Sequence, residues 1–91
     1  SQAAGNALTC IVNGSKVFMF EQSTLFRFLK RIGLIIFSID SDLKEEELIK
    51  SLSARQKERN FEIVNRYFGA QSIRVSYTNL FNLENAKLLT S

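Results

Sequence analysis

Leu8-Thr9-Cys10-Ile11-Val12-Asn13-Gly14-Ser15-Lys16-Val17-Phe18-Met19-Phe20 is the stretch on which the fold turns. Two runs rich in β-forming residues flank Asn13-Gly14. Asn-Gly is the strongest short-range hairpin signal, because a type I′ turn needs positive φ at both central positions. The stretch therefore predicts an N-terminal β-hairpin, preceded by a flexible lead-in over residues 1–6. Pairing across the turn sets Cys10 opposite Val17 and Leu8 opposite Met19. Leu8, Cys10, Val12, Val17 and Met19 then share a buried face. The other face holds Thr9, Ile11, Lys16, Phe18 and Phe20, and it too is largely apolar. Ile11, Phe18 and Phe20 are therefore candidate partner-binding residues, on a face that another layer or another protein must cover.

Beyond the hairpin, residues 21–32 predict a helix. Leu25, Phe28, Leu29 and Ile32 recur at i, i+3, i+4 and i+7, and Phe26 widens the stripe. Gly33 supplies a left-handed stop. Leu34–Ile39 is a short apolar run of the kind found in strands buried on both faces. Strand, helix and strand together make a βαβ candidate. Asp42 with Glu45 three residues on reads as a capping box opening a second helical region. Its first apolar stripe is Leu43, Leu48, Ile49 and Leu52; its second is Phe61, Val64 and Phe68. The two stripes lie half a turn out of register. Residues 42–68 are thus either one helix burying different faces at its ends, or two helices broken near Ser53, which would be the second N-cap. Ser72–Thr78 alternates, with Ile73, Val75 and Tyr77 on one side, and predicts an edge strand bearing Tyr77 as a further partner-binding candidate. Residues 81–91 read as a short helix or a tail.

The fold expected is a small two-layer α+β domain over residues 7–80. A hairpin is followed by α-β-α-β (ββαβαβ), with a mixed sheet and the helices on one face. The alternative is a winged-helix-like arrangement with residues 21–32, 42–52 and 54–68 as its three helices and 72–78 opening the wing.

Composition narrows the chemistry. The 91 residues include no histidine, no tryptophan, no proline and one cysteine. His is the commonest metal ligand and the one side chain that titrates near neutrality unaided, so His-based triads and His-bearing zinc sites are excluded. A lone Cys10 forms no intramolecular disulfide, which excludes a bridge-stapled scaffold. On the buried hairpin face Cys10 would act as a small hydrophobe. Eight of the ten aromatics are Phe, which suits interiors. The net charge of +3 permits a phosphate-bearing partner without requiring one. No apolar run approaches the roughly 18–20 residues of a membrane span. A cytoplasmic domain and a disulfide-free periplasmic or extracellular one both fit. An opening Ser1 is what an excised domain or processed chain would show.

Three clusters could carry chemistry. Asp40, Asp42, Glu45, Glu46 and Glu47 follow an apolar strand, where some Mg²⁺ sites begin. They better suit a first helical turn, where acids complement the macrodipole. Arg55, Lys57, Arg59 and Arg66, with Arg74, form the densest basic cluster and are the candidate nucleic-acid-binding residues. Yet residues 41–68 carry six acids and six bases, so Glu58 and Glu62 can pair with those arginines along a solvated helix. Asn13-Gly14-Ser15 matches a glycosylation acceptor, but the turn explains the same residues. No phosphate-cradling glycine pattern is present.

These observations lead to a non-catalytic protein–protein interaction or assembly module, without cofactor or metal, whose partner is another protein or a second copy of itself. The alternative is a DNA- or RNA-binding domain acting through the basic helix.

Overall fold

Asn13-Gly14 ends a helix and does not turn a hairpin. The structure, a computed structural model, describes residues 2–69. Helix α1 spans Gln2–Val12. Gly14 has φ +87°, while no described non-glycine residue has positive φ. Asn13 therefore lacks the geometry a type I′ turn demands. Instead, the Gly14 N–H donates to the Ile11 carbonyl and the Ser15 N–H to the Cys10 carbonyl, both at 3.0 Å. This paired pattern is the Schellman C-cap, in which one glycine in the left-handed region satisfies the last carbonyls.

Several expectations change with it. Residues 2–6 lie in α1, where Ala3, Ala4 and Ala7 supply high helix propensity. Helical periodicity turns Ile11 and Val12 inward, and Cys10 is exposed rather than buried. The buried Thr9 hydroxyl donates to the Gly5 carbonyl at 2.8 Å, which removes the penalty of an unpaired polar group.

The βαβ unit is present. Strand β1 (Phe18–Met19), helix α2 (Thr24–Arg31) and strand β2 (Phe37–Ser38) follow in order. The strands pair in parallel, Phe18 with Phe37 and Met19 with Ser38. The Phe37 N–H donates to the Val17 carbonyl and the Ile39 N–H to the Met19 carbonyl, each at 2.9 Å. Ser23 caps α2 by accepting from the Phe26 N–H at 3.3 Å. Gly33, at φ +101°, closes α2 with a second Schellman pair, Gly33 N–H to Lys30 and Leu34 N–H to Leu29.

The second helical region is two helices. Short α3 covers Glu45–Ile49, and α4 runs over residues 54–69. Between them the chain is extended. Ser53 and Gln56 form a reciprocal capping box, Gln56 N–H to Ser53 Oγ at 3.1 Å and Ser53 N–H to Gln56 Oε1 at 2.9 Å. The expected box of Asp42 and Glu45 does not form. Lys44 is the N-cap of α3 and makes no side-chain cap bond. Asp42 serves the sheet: its Oδ2 accepts from the Ser38 N–H and its own N–H donates to the Ser38 carbonyl, both at 2.8 Å. Residues 37 and 39 point their N–H groups at β1, so residues 36 and 38 face the outer edge of β2. Asp42 closes that edge at Ser38, and the Lys30 ammonium donates to the Ile36 carbonyl at 3.3 Å.

The protein is a small α+β domain; over the described residues its order is αβαβαα, with a two-stranded parallel sheet and no N-terminal hairpin. The parallel pairing of β2 with β1 across α2 is no part of the winged-helix-like alternative, whose wing at 72–78 lies outside the described residues. The expected strand over 72–78 and the helix or tail over 81–91 lie outside the described residues. The core joins Ile11 and Val12 of α1, Phe26 and Leu29 of α2, Leu34, Ile36, and Ile63 and Val64 of α4. Each full burial of such a side chain contributes about 1.5–3 kcal/mol. Val17 and Met19 pack on this core, so the alternating Phe18 and Phe37 occupy the opposite face of the sheet. Their rings meet at 5.5 Å between centroids.

Candidate functional site

Lys16 lies just before β1 and reaches across to α3. Its ammonium donates to Glu47 Oε2 and to the Glu47 carbonyl, both at 2.7 Å, and to the Lys50 carbonyl at 3.2 Å. All three donors are therefore used. The same ammonium sits 4.5 Å from the centroid of the Phe37 ring, a cation–π contact. Its side chain is only 11% exposed. A helix of five residues leaves most of its C-terminal carbonyls unpaired. Lys16 satisfies carbonyls at that end, and Glu45, Glu46 and Glu47 complement the other. The hydrogen bond from Lys16 holds the Glu47 carboxyl below the usual carboxylate range, against a smaller opposing effect of desolvation.

The clamp fixes α3 but does not bury it. No residue of α3 is buried. Leu48 is 60% exposed and Ile49 79%, with Leu43 just upstream also exposed. Beside α3 runs a groove whose walls include Ser15, Phe18, Leu48, Lys50, Leu52 and Lys57. Lys16, Lys50 and Lys57 are its charged lining residues, with no acid among them. The Lys57 stem lies against Gly14; a Cβ there would stand 3.1 Å from Lys57 Cδ.

Two other grooves differ in charge. One, along Gly33–Phe37, is lined by Lys30 and Arg59 but also by Asp42. Both of its cations already bond backbone, Arg59 Nε donating to the Gly33 carbonyl at 3.4 Å and Lys30 to that of Ile36. The other sets Arg55 and Arg59 beside Glu58 and Glu62.

The residues singled out from the sequence scatter. Ile11 is fully buried and offers nothing to a partner, a correction that follows from α1 being a helix. Phe18 is half-buried in the lysine groove, and Phe20 is 62% exposed at the end of β1. Tyr77 and Arg74 lie outside the described residues. Arg55, Lys57, Arg59 and Arg66 are all exposed on α4. At 100° per residue, Arg55, Arg59 and Arg66 share one stripe with Glu62, while Lys57 faces the opposite way. The acids do not converge: Asp40 Oδ2 accepts from the Glu21 N–H at 3.0 Å, Asp42 binds Ser38, and Glu47 binds Lys16. Among the described residues no group of three or more His, Cys, Asp or Glu side chains could hold a metal ion. No helix among them is long and apolar enough to cross a membrane.

Leu43, Ile49, Lys16 and Lys50 were not legible as surface residues of one site. The available signal was the spacing from the acidic turn to Ser53, which leaves α3 too short to carry Leu48 and Ile49 to the core.

Comparisons with protein-family models, with curated proteins and with solved structures each find no match for this chain.

Proposed function

We propose that this domain is a non-catalytic interaction module that binds protein through α3 and the lysine groove beside it. One observation carries the reading. Leu48 and Ile49 stand in solvent on a segment that Lys16 ties down with three hydrogen bonds. A slack loop could fold such residues away; this one is held with them outward. Exposed apolar residues on an ordered element rimmed by polar ones are characteristic of protein contact sites. Phe18, which lines the groove with Leu48, extends the apolar surface.

The test compares the full chain with Ile49→Asp as baits for a defined partner and for the chain itself. Loss of a specific protein contact in Ile49→Asp, with an unchanged melting temperature, supports the reading. Absence of any protein contact, or contacts indifferent to Ile49→Asp, overturns it. Binding to mixed DNA or RNA that weakens steeply with salt and with Arg55→Ala and Arg59→Ala would replace it with nucleic-acid recognition.

A further inference from the structure

We infer that Asn13 is a site of spontaneous covalent modification, deamidation through a succinimide, and that the C-cap of α1 sets its rate. Of the seven asparagines in the chain, Asn13 is the one followed by glycine. It is exposed. The attacking atom is the backbone nitrogen of the next residue, and a Cβ on that residue hinders the approach; Gly14 has none. The Gly14 nitrogen loses its proton to base and bonds to Asn13 Cγ. The bond from Cγ to the side-chain nitrogen breaks, and ammonia leaves. Water then opens the five-membered ring at one of its two carbonyls, which leaves Asp or isoAsp at position 13.

The folded cap opposes the first step. The Asn13 N–H donates to the Thr9 carbonyl at 3.1 Å and the Gly14 N–H to the Ile11 carbonyl at 3.0 Å. The nitrogen that must attack is therefore held with its proton engaged. Ring closure turns the peptide plane between Asn13 and Gly14 and breaks the bond to Ile11. Ile11 and Val12, both in the core, anchor this last turn. Reaction thus proceeds from the opened cap, and its rate follows the opened fraction. The products cannot close the cap as before. α1 has no basic residue in its last turn, so a carboxylate at position 13 meets the negative helix end with no cation of that turn to offset it. IsoAsp carries the chain through Cβ and Cγ, one atom longer, which puts the Gly14 and Ser15 N–H groups out of register with the Ile11 and Cys10 carbonyls.

The experiment incubates the full chain in mildly alkaline buffer and maps it by mass spectrometry with separation of Asp from isoAsp. A free peptide of residues 8–20 gives the reactivity without a cap, and Val12→Ala loosens the cap while leaving residues 13–15 intact. The expected result is Asp and isoAsp at position 13, with the other six asparagines unchanged over the same time. The full chain should convert about tenfold or more slowly than the peptide, and Val12→Ala about threefold or more faster than wild type. Asn13 intact in both chains after the peptide has converted overturns the site. Conversion of the full chain at the peptide's rate, or a rate indifferent to Val12→Ala, overturns control by the cap.

Discussion

The carboxamide of Asn60 stands in for a strand neighbour of Ile35: its Oδ1 accepts from the Ile35 N–H at 2.8 Å and its Nδ2 donates to the Ile35 carbonyl at 3.1 Å. Asn60 is fully buried on the inward face of α4, one turn before Ile63 and Val64. The bond pair ties α4 to the chain entering β2, where no third strand is described to do so. Asn60→Ala should cost about 2–4 kcal/mol, because two backbone groups lose their partners at once. Urea denaturation of both chains measures this. A loss under about 1 kcal/mol would mean that water replaces the amide.

The Asn13-Gly14 turn separates a helix cap from a hairpin by mutation. As the residue before the glycine in a Schellman cap, exposed Asn13 needs no positive φ, so Asn13→Ala should change stability by less than about 0.5 kcal/mol. Gly14→Ala forces a Cβ into the left-handed region and should cost about 1–2 kcal/mol. In a type I′ hairpin both substitutions would be costly. Thermal melts of the two variants decide.

Gly33→Ala should cost more than Gly14→Ala. Its φ of +101° lies further from the left-handed minimum than the +87° of Gly14, and that backbone strain, not the ordinary 3.4 Å contact an added Cβ would make with Ile63 Cδ1, sets the difference. At Gly14 the neighbour is the flexible Lys57 stem. Equal melting temperatures for the two variants would contradict this.

Lys16→Met should free α3 without unfolding the core. Amide exchange across residues 45–50 should quicken by about tenfold or more, with Leu29 and Ile36 changing far less. A uniform increase would mean that the clamp supports the whole domain.

The Glu47–Lys16 pair also gives a pH dependence. Glu47 has a lowered folded pKa, caused first by the hydrogen bond from Lys16. A depressed carboxylate adds stability that is present above its unfolded pKa, about 4.3 for Glu, and is lost as pH falls through the folded value. Stability should therefore decline in that acid window in wild type and decline less in Glu47→Gln. Parallel curves for the two chains would remove this contribution.

The helix Thr24–Arg31, its Gly33 stop and the βαβ unit it connects were readable from the chain, while the break near Ser53 was one of two alternatives that only the structure decided. Each rests on local rules: apolar spacing, a hydroxyl that caps, a glycine that turns. Asn13-Gly14 was misread because a hairpin turn and a helix C-cap demand the same glycine. Ala3, Ala4 and Ala7, with Leu8, Ile11 and Val12 at helical spacing, favoured the cap. Asp42 was misread for a related reason: a carboxylate that caps a helix can as well accept from a strand N–H, and sequence spacing does not distinguish them.

Residue types alone thus settled the α+β class and removed histidine-based chemistry, since both follow from short-range preference and composition. Which apolar residues stay in solvent was settled only by long-range contact. Lys16 meets Glu47 across thirty-one positions and Asn60 meets Ile35 across twenty-five. Those meetings hold Leu48 and Ile49 outward and draw a polar amide inward, outcomes that no local periodicity encodes, because each depends on a partner the neighbouring sequence does not contain.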